Sequence, residues 1–537
     1  MISEPMATYS LFGKPISGPF TIPSGIVMTE VPVLERIANE IPEIGILTTK
    51  SIGPEPKEGN REPILAQYTP FSFINAVGLA NPGCKEFAER LKKAKIPKDK
   101  FLLASIFGST EQDIKHVAGT LVSLVDGFEL NISCPHSKRY GQACGQDPEL
   151  VEKLTHTAAS FGKPVVVKIS PNLDMETTIK AALGGGARGF VAINTKGPTE
   201  FKVDGHDVLS NKQGGVSGKA ILNLGIACVK KIRHLTDKPI IACGGISTAE
   251  DIKRYKKAGA SFFGIGSALA GMNTSEMKLY FKALKGDFET GSDAAPRHLK
   301  ETNMKYVKFK IAERRQLADN LILLKLDKNY DIQPGQFIFA WIPGKGEKPF
   351  AIFDDEPATL LFKPRGRFTD ELAKLNPGDP LYIRGPYGNP LKIRGKALLV
   401  VGGTAVAALH LLAKRKPDTC LLVGGEDKKH LSFLKEFPLA CKEVSCVSDD
   451  GSYGEKGLVT DILERHMLAF KPDICINCGP EQMQQKAIEI EKKHIKPENI
   501  LSSIEYQTMC GNGICGRCAT PAGERSCVDG TFFPLKH

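Results

Sequence analysis

The chain has 537 residues, a length that predicts three or more folded units, each large enough for a hydrophobic core. Hydrophobic residues make up 42% and charged residues 24%, a composition that is typical of globular enzymes and excludes a disordered chain. The formal net charge of +11 comes from basic residues scattered in short groups among acidic ones, so we predict a solvated surface and no nucleic-acid partner.

The sequence contains no candidate for a membrane span or an export signal. The most apolar stretch, residues 397–413, is too short to cross a bilayer and is interrupted by Gly402, Gly403 and His410. The first residues lack a basic start followed by an apolar core, which predicts a cytoplasmic protein with no membrane partner. In that compartment the 14 cysteines are not expected to form a disulfide framework.

Alternating strand-like and helix-like segments organise the chain up to about residue 268. The strand-like runs are rich in β-branched residues, and each ends in a polar residue or glycine. They are FTIPSG, ILTTK, LLASIF, FELNIS, VVVKIS, FVAINT, IIACGG and FFGIGS. Eight such repeats favour an α/β fold with a closed (β/α)8 TIM barrel, which we assign to residues 1–290, and its active site is expected at the strand carboxyl ends.

Glycine-rich segments near the seventh and eighth strands indicate a phosphate site. GGVSG, CGGI and GIGSA supply backbone amides without side-chain bulk, where barrels of this kind often bind phosphate. Singly, each could be a helix cap or a tight turn; together they predict FMN. Lys168 ends the run VVVK, where it could stabilise negative charge on a reduced flavin, although lone lysines usually lie at a surface. The residues assigned to FMN on these grounds are Lys168, Gly215, Ser217, Gly218, Gly244, Gly245, Gly266 and Ser267.

Cys134 is the candidate catalytic residue. It lies in NISCPH after the fourth predicted strand, and a thiol with a pKa near 8.5 can be tuned toward neutrality for proton transfer. The alternative is a small buried hydrophobic residue. Asparagine and hydroxyl groups at strand or loop ends suit a polar planar ligand; these are Asn75, Asn131, Asn194 and Thr195.

A different pattern follows a predicted linker at residues 286–303. Alternating runs separated by PGQ, PGD and GPYG turns predict an antiparallel β-barrel at residues 304–395. The strand ALLVV and the turn GGTAV then open an α/β nucleotide-binding domain, which we assign to residues 396–500. A cysteine-rich segment occupies residues 501–537.

Four cysteines in this last segment have the spacing C-x4-C-x2-C-x8-C, which is the pattern of a plant-type [2Fe–2S] loop. Zinc sites usually pair two short knuckles, so zinc and plain structural thiols are the alternatives. A cluster moves one electron at a time and therefore implies a flavin partner. The predicted ligands are Cys510, Cys515, Cys518 and Cys527.

The first 285 residues resemble type 1 dihydroorotate dehydrogenases. The shared motifs, in order, are TTKSIGPEPKEGN, FINAVGLANPG, LNISCPH, VKISPN, INT, GGVSG and CGGI. The second half resembles the electron-transfer subunit that accompanies the type 1B enzymes, through KPFAIF, GRFT, GPYGNP, GGTAVAAL, CGPEQM and the four-cysteine loop. This implies a ferredoxin-reductase-like module fused to the barrel. In it, FAD would contact Lys348, Pro349, Phe350, Ala351, Gly366 and Thr369.

The resemblance implies oxidation of dihydroorotate to orotate in pyrimidine biosynthesis. FMN would take a hydride from C6 while Cys134 removes the C5 proton, and electrons would pass through the [2Fe–2S] cluster to FAD and then to NAD. It further implies that Ser24, Gly25 and Lys50 contact FMN and that two copies of the barrel form a homodimer. The residues that it assigns to substrate are Lys50, Asn75, Ala76, Val77, Gly78, Leu79, Asn131, His136, Asn194 and Thr195.

Three departures from the family pattern keep other functions open. His136 replaces a usual asparagine and resembles dihydropyrimidine dehydrogenase, which reduces a neutral pyrimidine such as uracil. Lys348 and Ala351 replace a usual arginine and serine, and Val401 and Ala405 replace two glycines of the nucleotide turn, which leaves the final acceptor open. An FMN barrel that modifies transfer-RNA uridines and an electron carrier without catalysis are the remaining alternatives.

Overall fold

The computed structural model describes residues 9–132, 145–292, 298–503 and 507–535. They form two compact units. The first draws its described residues from Met1–Met304 and Asn512–Arg525, and the second from Lys305–Gly511 and Ser526–His537. The predicted cluster segment, residues 501–537, is therefore divided between the two units. The four predicted domain ranges otherwise stay predictions.

The first unit contains a closed barrel of eight parallel strands, which confirms the predicted fold class. Each strand pairs with the barrel strands before and after it in the chain, and the last pairs with the first. All eight coincide with the predicted runs, because each run is apolar enough to be buried over its whole length. They are Phe20–Ile22, Ile44–Thr48, Phe101–Ile106, Gly127–Asn131, Val165–Ile169, Gly189–Ala192, Ile240–Cys243 and Phe262–Gly264.

Helices follow the barrel strands. Several begin at capping boxes, as at Thr110 with Asp113 and at Thr248 with Asp251, where the two residues satisfy each other's backbone amides. The helices of this unit are Val31–Glu40, Cys84–Leu91, Glu111–Leu121, Pro148–Ala159, Met175–Gly184, Leu222–Leu235, Ala249–Lys257 and Thr274–Thr290. None of the helices in the described ranges is long and apolar enough to cross a membrane.

An antiparallel sheet of four strands is added to the barrel. In spatial order its strands are Lys196–Glu200, Gln213–Gly218, Ser72–Asn75 and Leu65–Thr69. The central pair brings Gly215 opposite Asn75, so the GGVSG segment and the NAVGL segment begin side by side.

The start of the predicted linker is wrong. The linker was expected from Gly286, but the helix Thr274–Thr290 continues through this residue and ends at Gly291, whose φ of 71° is left-handed. The helix continues because Phe288 packs against Phe263 of the last barrel strand, with ring centroids 5.6 Å apart. This single apolar contact is too sparse to appear as a periodic pattern.

The second unit contains two seven-stranded sheets. The antiparallel sheet has the spatial order Gly346–Phe350, Phe337–Ile342, Pro380–Tyr387, Val307–Ala318, Leu321–Leu326, Ala358–Phe362 and Asp354–Asp355. Its core is lined by Leu324, Ile338 and Ile383, none of which is exposed. The short helix Arg367–Leu372 packs beside the strand Gly346–Phe350.

The other sheet of the second unit is parallel except for one edge strand. Its strands, in spatial order, are Glu455–Lys456, Glu443–Ser448, Thr419–Gly425, Ala397–Gly402, Ile474–Cys478, Ile500–Ser503 and the antiparallel Phe532–Pro534. The accompanying helices are Val406–Arg415, Lys428–Leu431, Val459–Phe470, Glu481–Glu491 and Ser526–Asp529. This layered α/β arrangement follows the predicted alternation of strands and helices.

Candidate active site

A cavity of the first unit lies at the carboxyl ends of the barrel strands. It holds about 1100 Å³ of empty space, counting the part open to solvent, which is enough for a cofactor and a small substrate. The predicted site residues that line it are Ser24, Gly25, Lys50, Asn75, Val77, Gly78, Leu79, Asn131, Lys168, Asn194, Thr195, Ser217 and Ser267. Residues from six of the barrel strand ends thus meet in one place.

A buried polar network lies beneath this cavity. Asn131 donates from Nδ2 to Ser51 Oγ at 2.9 Å, and Ser51 Oγ lies 2.9 Å from Ser105 Oγ. Ser105 in turn donates to Glu129 Oε1 at 2.7 Å, and the same oxygen lies 3.8 Å from Lys168 Nζ. The ammonium of Lys168 is therefore held by a carboxylate that is only 1% exposed.

Ser51, Ser105 and Glu129 were missed in the sequence. Glu129 lies inside the strand Gly127–Asn131, where a buried carboxylate is unexpected unless it is paired. An acidic residue within an otherwise apolar run such as FELN is the one signal that could have identified it.

Lys50 carries a strongly perturbed amine. Burial lowers its pKa from 10.5 to about 8, and the positive charge of Arg517 acts in the same direction, while Glu30 opposes it. Lys50 is 6% exposed, and Arg517 also lines the cavity. Two cationic side chains in one enclosed space create a site for an anion.

The NAVGL loop presents backbone amides. Gly78 and Leu79 both have left-handed φ angles, of 80° and 58°. Among the described residues, none accepts a hydrogen bond from the amides of Val77, Gly78 or Leu79. Ala76 was predicted to bind substrate with the rest of this loop, but its amide donates to Ile64 O at 2.8 Å and the residue does not line the cavity.

The glycine-rich segments lie around two hydroxyl groups. Ser217 Oγ and Ser267 Oγ are 3.1 Å apart and both line the cavity. Gly245 has a φ of 79°, and a Cβ there would come within 2.8 Å of Gly218 O, so this close approach requires glycine. The other glycines that were assigned to FMN do not line the cavity; they are Gly215, Gly218, Gly244, Gly245 and Gly266.

The cysteine loop contributes to the first unit through residues 512–525. Val27, whose φ of 54° is unusual for a β-branched residue, donates its amide to Ile514 O at 2.7 Å, and Thr29 Oγ1 donates to Cys515 O at 2.8 Å. Arg525 is fully buried and donates to Gly513 O and Met272 O. As a result Ile514, Cys515 and Arg517 line the barrel cavity, which the sequence did not predict.

The four predicted cluster ligands are all buried. Cys515 and Cys518 belong to the first unit, and Cys510 and Cys527 to the second. In the second unit, Arg384 Nη1 donates to Cys510 O at 2.8 Å and the amide of Gly388 donates to Cys527 O at 3.2 Å.

The predicted FAD segments are neighbours in the second unit. Lys348, Pro349 and Phe350 lie in the strand Gly346–Phe350, and Ala351 follows it. The Phe350 ring lies 6.1 Å from that of Phe368, within the GRFT segment. In the same segment Thr369 Oγ1 donates to Gly366 O at 3.0 Å, which closes the turn.

Cys134 and His136 lie outside the described residues. The cavity combines two cationic side chains with amide and hydroxyl groups at the carboxyl end of a parallel barrel, a lining that suits an anionic ligand of an enzyme.

The family model for dihydroorotate dehydrogenase matches residues 6–280. The chain therefore belongs to the dihydroorotate dehydrogenase family, which confirms the predicted enzyme class, an oxidoreductase. The catalytic subunit of dihydroorotate dehydrogenase B (NAD(+)) from Methanosarcina mazei is 40% identical over 265 residues, which cover 49% of this chain and 84% of the relative.

Two further relatives carry the same name. That of Pyrococcus abyssi is 37% identical over 267 residues, or 49% of this chain and 88% of the relative. That of Methanocaldococcus jannaschii is 36% identical over 274 residues, or 50% of this chain and 89% of the relative. Among solved structures, an NADH-dependent reduced ferredoxin–NADP oxidoreductase is 26% identical, covers 42% of this chain and 87% of its own, and has a TM-score of 0.37, too low to support an argument.

Proposed function

We propose that the chain oxidises dihydroorotate to orotate, as a step of pyrimidine biosynthesis, with NAD as the final acceptor. The substrate loses a hydride and a proton; NAD⁺ gains the equivalent of the hydride, and the proton goes to solvent. The observation that carries the proposal is the barrel cavity, in which Lys50, Asn131 and Asn194 line one space in a member of this family.

The first unit fits FMN. Ser217 and Ser267 provide paired hydroxyls for a phosphate, and Gly245 allows the CGGI segment to pack closely against Gly218 beside them. Lys168, held by Glu129, would face the flavin ring with a fixed positive charge. When bound, FMN supplies the hydride acceptor, and the [2Fe–2S] cluster and FAD supply the electron carriers that lead to NAD.

The substrate carboxylate suits the cationic part of the cavity. The amides of residues 77–79 and the Lys50 ammonium would bind it together, and Arg517 adds to the positive potential. Asn131 and Asn194 would hold the amide groups of the pyrimidine. The backbone amide of Thr195 donates to Asn194 Oδ1 at 2.9 Å, which orients that side chain.

We assign the proton transfer to Cys134. The residue follows Asn131 by three positions, so the fourth barrel strand leads directly to it. A thiolate is a competent general base near neutral pH, and the family resemblance supports the same role. His136 would serve as a donor to the pyrimidine or its carboxylate.

The redox path beyond FMN is assigned to the second half of the sequence. The spacing of Cys510, Cys515, Cys518 and Cys527 and their burial suit a [2Fe–2S] cluster. The segments around Phe350 and Thr369 would hold FAD. A cytoplasmic location and a homodimer through the barrel are proposed from the sequence and the family resemblance.

A neutral pyrimidine is the second candidate substrate, because His136 resembles the dihydropyrimidine dehydrogenase pattern. The two cations in the cavity favour a carboxylate, since a buried charge needs a partner of opposite sign.

NADH formation by the purified, FMN- and FAD-loaded protein tests the proposal. We expect dihydroorotate to support it and the Cys134→Ser variant, with both flavins retained, to lose most of it near neutral pH. Failure of dihydroorotate to reduce either NAD or an artificial acceptor would overturn the assignment.

A further inference from the structure

A thiol, a carboxylate and an imidazole meet in the parallel sheet of the second unit, among residues that the proposed function does not use. Cys420, Glu443 and His466 each offer one ligand atom, and these atoms lie within 4.8 Å of one another. Glu443 Oε2 lies 4.0 Å from Cys420 Sγ, and its Oε1 lies 3.2 Å from His466 Nδ1. The three side chains thus converge on one point.

The fold brings them together from three elements. Cys420 is the second residue of the strand Thr419–Gly425 and Glu443 is the first of Glu443–Ser448, and the two residues are direct partners in the parallel register. His466 comes from the helix Val459–Phe470, which packs on the first of these strands. The cluster is therefore at the amino-terminal edge of the sheet, whereas nucleotides bind open α/β sheets at the carboxyl edge.

Burial separates this cluster from an ordinary surface ion pair. Cys420 is fully buried and His466 is 7% exposed, whereas the Glu443 side chain is 47% exposed. Among the described residues, none forms a hydrogen bond with the buried Nε2 atom of His466. Nδ1, on the other side of the ring, is the nitrogen that faces the Glu443 carboxylate, so it is the atom that would bind a metal at this cluster.

We propose that Cys420, Glu443 and His466 bind a zinc ion that stabilises the second unit. Tetrahedral zinc with bonds of about 2.0 to 2.3 Å places its ligand atoms about 3.3 to 3.6 Å apart. Glu443 Oε1 already has this separation from His466 Nδ1. The other carboxylate oxygen, Oε2, lies about 0.5 Å too far from Cys420 Sγ, so the carboxylate would turn slightly to bind the ion.

The donor set also matches zinc in charge and softness. On binding, the thiol releases its proton to solvent, and the thiolate and carboxylate together neutralise the two charges of the ion. Thiolate and imidazole donors select zinc over magnesium or calcium, and water can fill the fourth position.

Zinc analysis of the full-length holoprotein tests the site. After incubation with zinc and removal of loosely held metal, we expect about one zinc per chain, with a zinc-edge absorption spectrum that fits one sulfur at about 2.3 Å and lighter ligands otherwise. No retained zinc would overturn the proposal. So would a shell of four sulfurs, which would assign the metal to the four-cysteine loop.

Two cysteine variants of the same sheet give a matched comparison. Cys420→Ser should lose the sulfur shell and weaken zinc binding at least tenfold, whereas Cys446→Ser should retain both. Cys446 lies on the adjacent strand but packs against a different hydrophobic cluster from Cys420. Equal zinc retention in the two variants would refute the site. Flavin reduction by dihydroorotate should be unchanged in both, so this result is independent of the proposed function.

Discussion

Orotate binding should weaken as the Lys50 ammonium loses its proton. Burial first, and the charge of Arg517 second, lower the pKa of this lysine to about 8. With that value, about nine-tenths of the molecules carry the charge at pH 7 and about one-tenth at pH 9. If the charged form holds the carboxylate, the dissociation constant for orotate should rise about tenfold between these pH values.

The assay is an orotate titration followed by flavin absorbance at intervals from pH 6 to pH 10. The control is the Lys50→Met variant. It should bind orotate more weakly than wild type and show no transition near pH 8. Any pH dependence that it retains would come from ionisation of orotate itself. Arg517→Gln should move the wild-type transition to higher pH, because it removes a charge that disfavours the protonated lysine. A wild-type profile that matches that of Lys50→Met would refute the role of this ammonium.

Three further predictions concern other parts of the chain. Cys134→Ser should retain FMN and lose most dihydroorotate oxidation at pH 7, with partial recovery in alkali; stopped-flow flavin reduction at wild-type rate would contradict the base assignment. Cys518→Ser, a buried ligand candidate that does not line the cavity, should remove the [2Fe–2S] spectrum while substrate still reduces FMN, and rapid FAD reduction in a cluster-free sample would refute the relay. Arg384→Met should destabilise the second unit by about 3 to 5 kcal/mol, because Glu347 would stay buried without its partner 2.5 Å away. The prediction would be contradicted if the variant's melting temperature fell by less than about 6 °C, or if adding Glu347→Gln to it restored no stability.

Local sequence patterns were sufficient to predict the barrel. Each strand is a short apolar run with its own start and stop, and residues at the strand ends, such as Lys50 and Asn194, are brought together by the closure of the barrel alone. The sequence could therefore predict both the strands and most of the residues that line the cavity.

Contacts between distant parts of the chain were not predictable. Arg517 lies more than 450 residues after Lys50, and nothing in the spacing of the cysteines indicates that their loop reaches the barrel cavity. In the sequence, Glu129 is an isolated acidic residue within an apolar strand. Its role is apparent only from the structure, which places Lys168 beside it. The Cys420 cluster is likewise invisible in the sequence, because its three members come from two strands and a helix.

The central claim is that this barrel oxidises dihydroorotate rather than a neutral pyrimidine, and one comparison tests it most directly. The purified holoprotein should be assayed for kcat/KM with dihydroorotate and with dihydrouracil, using NAD and an artificial acceptor in parallel. The cationic cavity predicts that dihydroorotate is preferred by at least tenfold, which corresponds to about 1.4 kcal/mol of transition-state binding. A higher kcat/KM for dihydrouracil would contradict the account and would assign the site to a neutral pyrimidine.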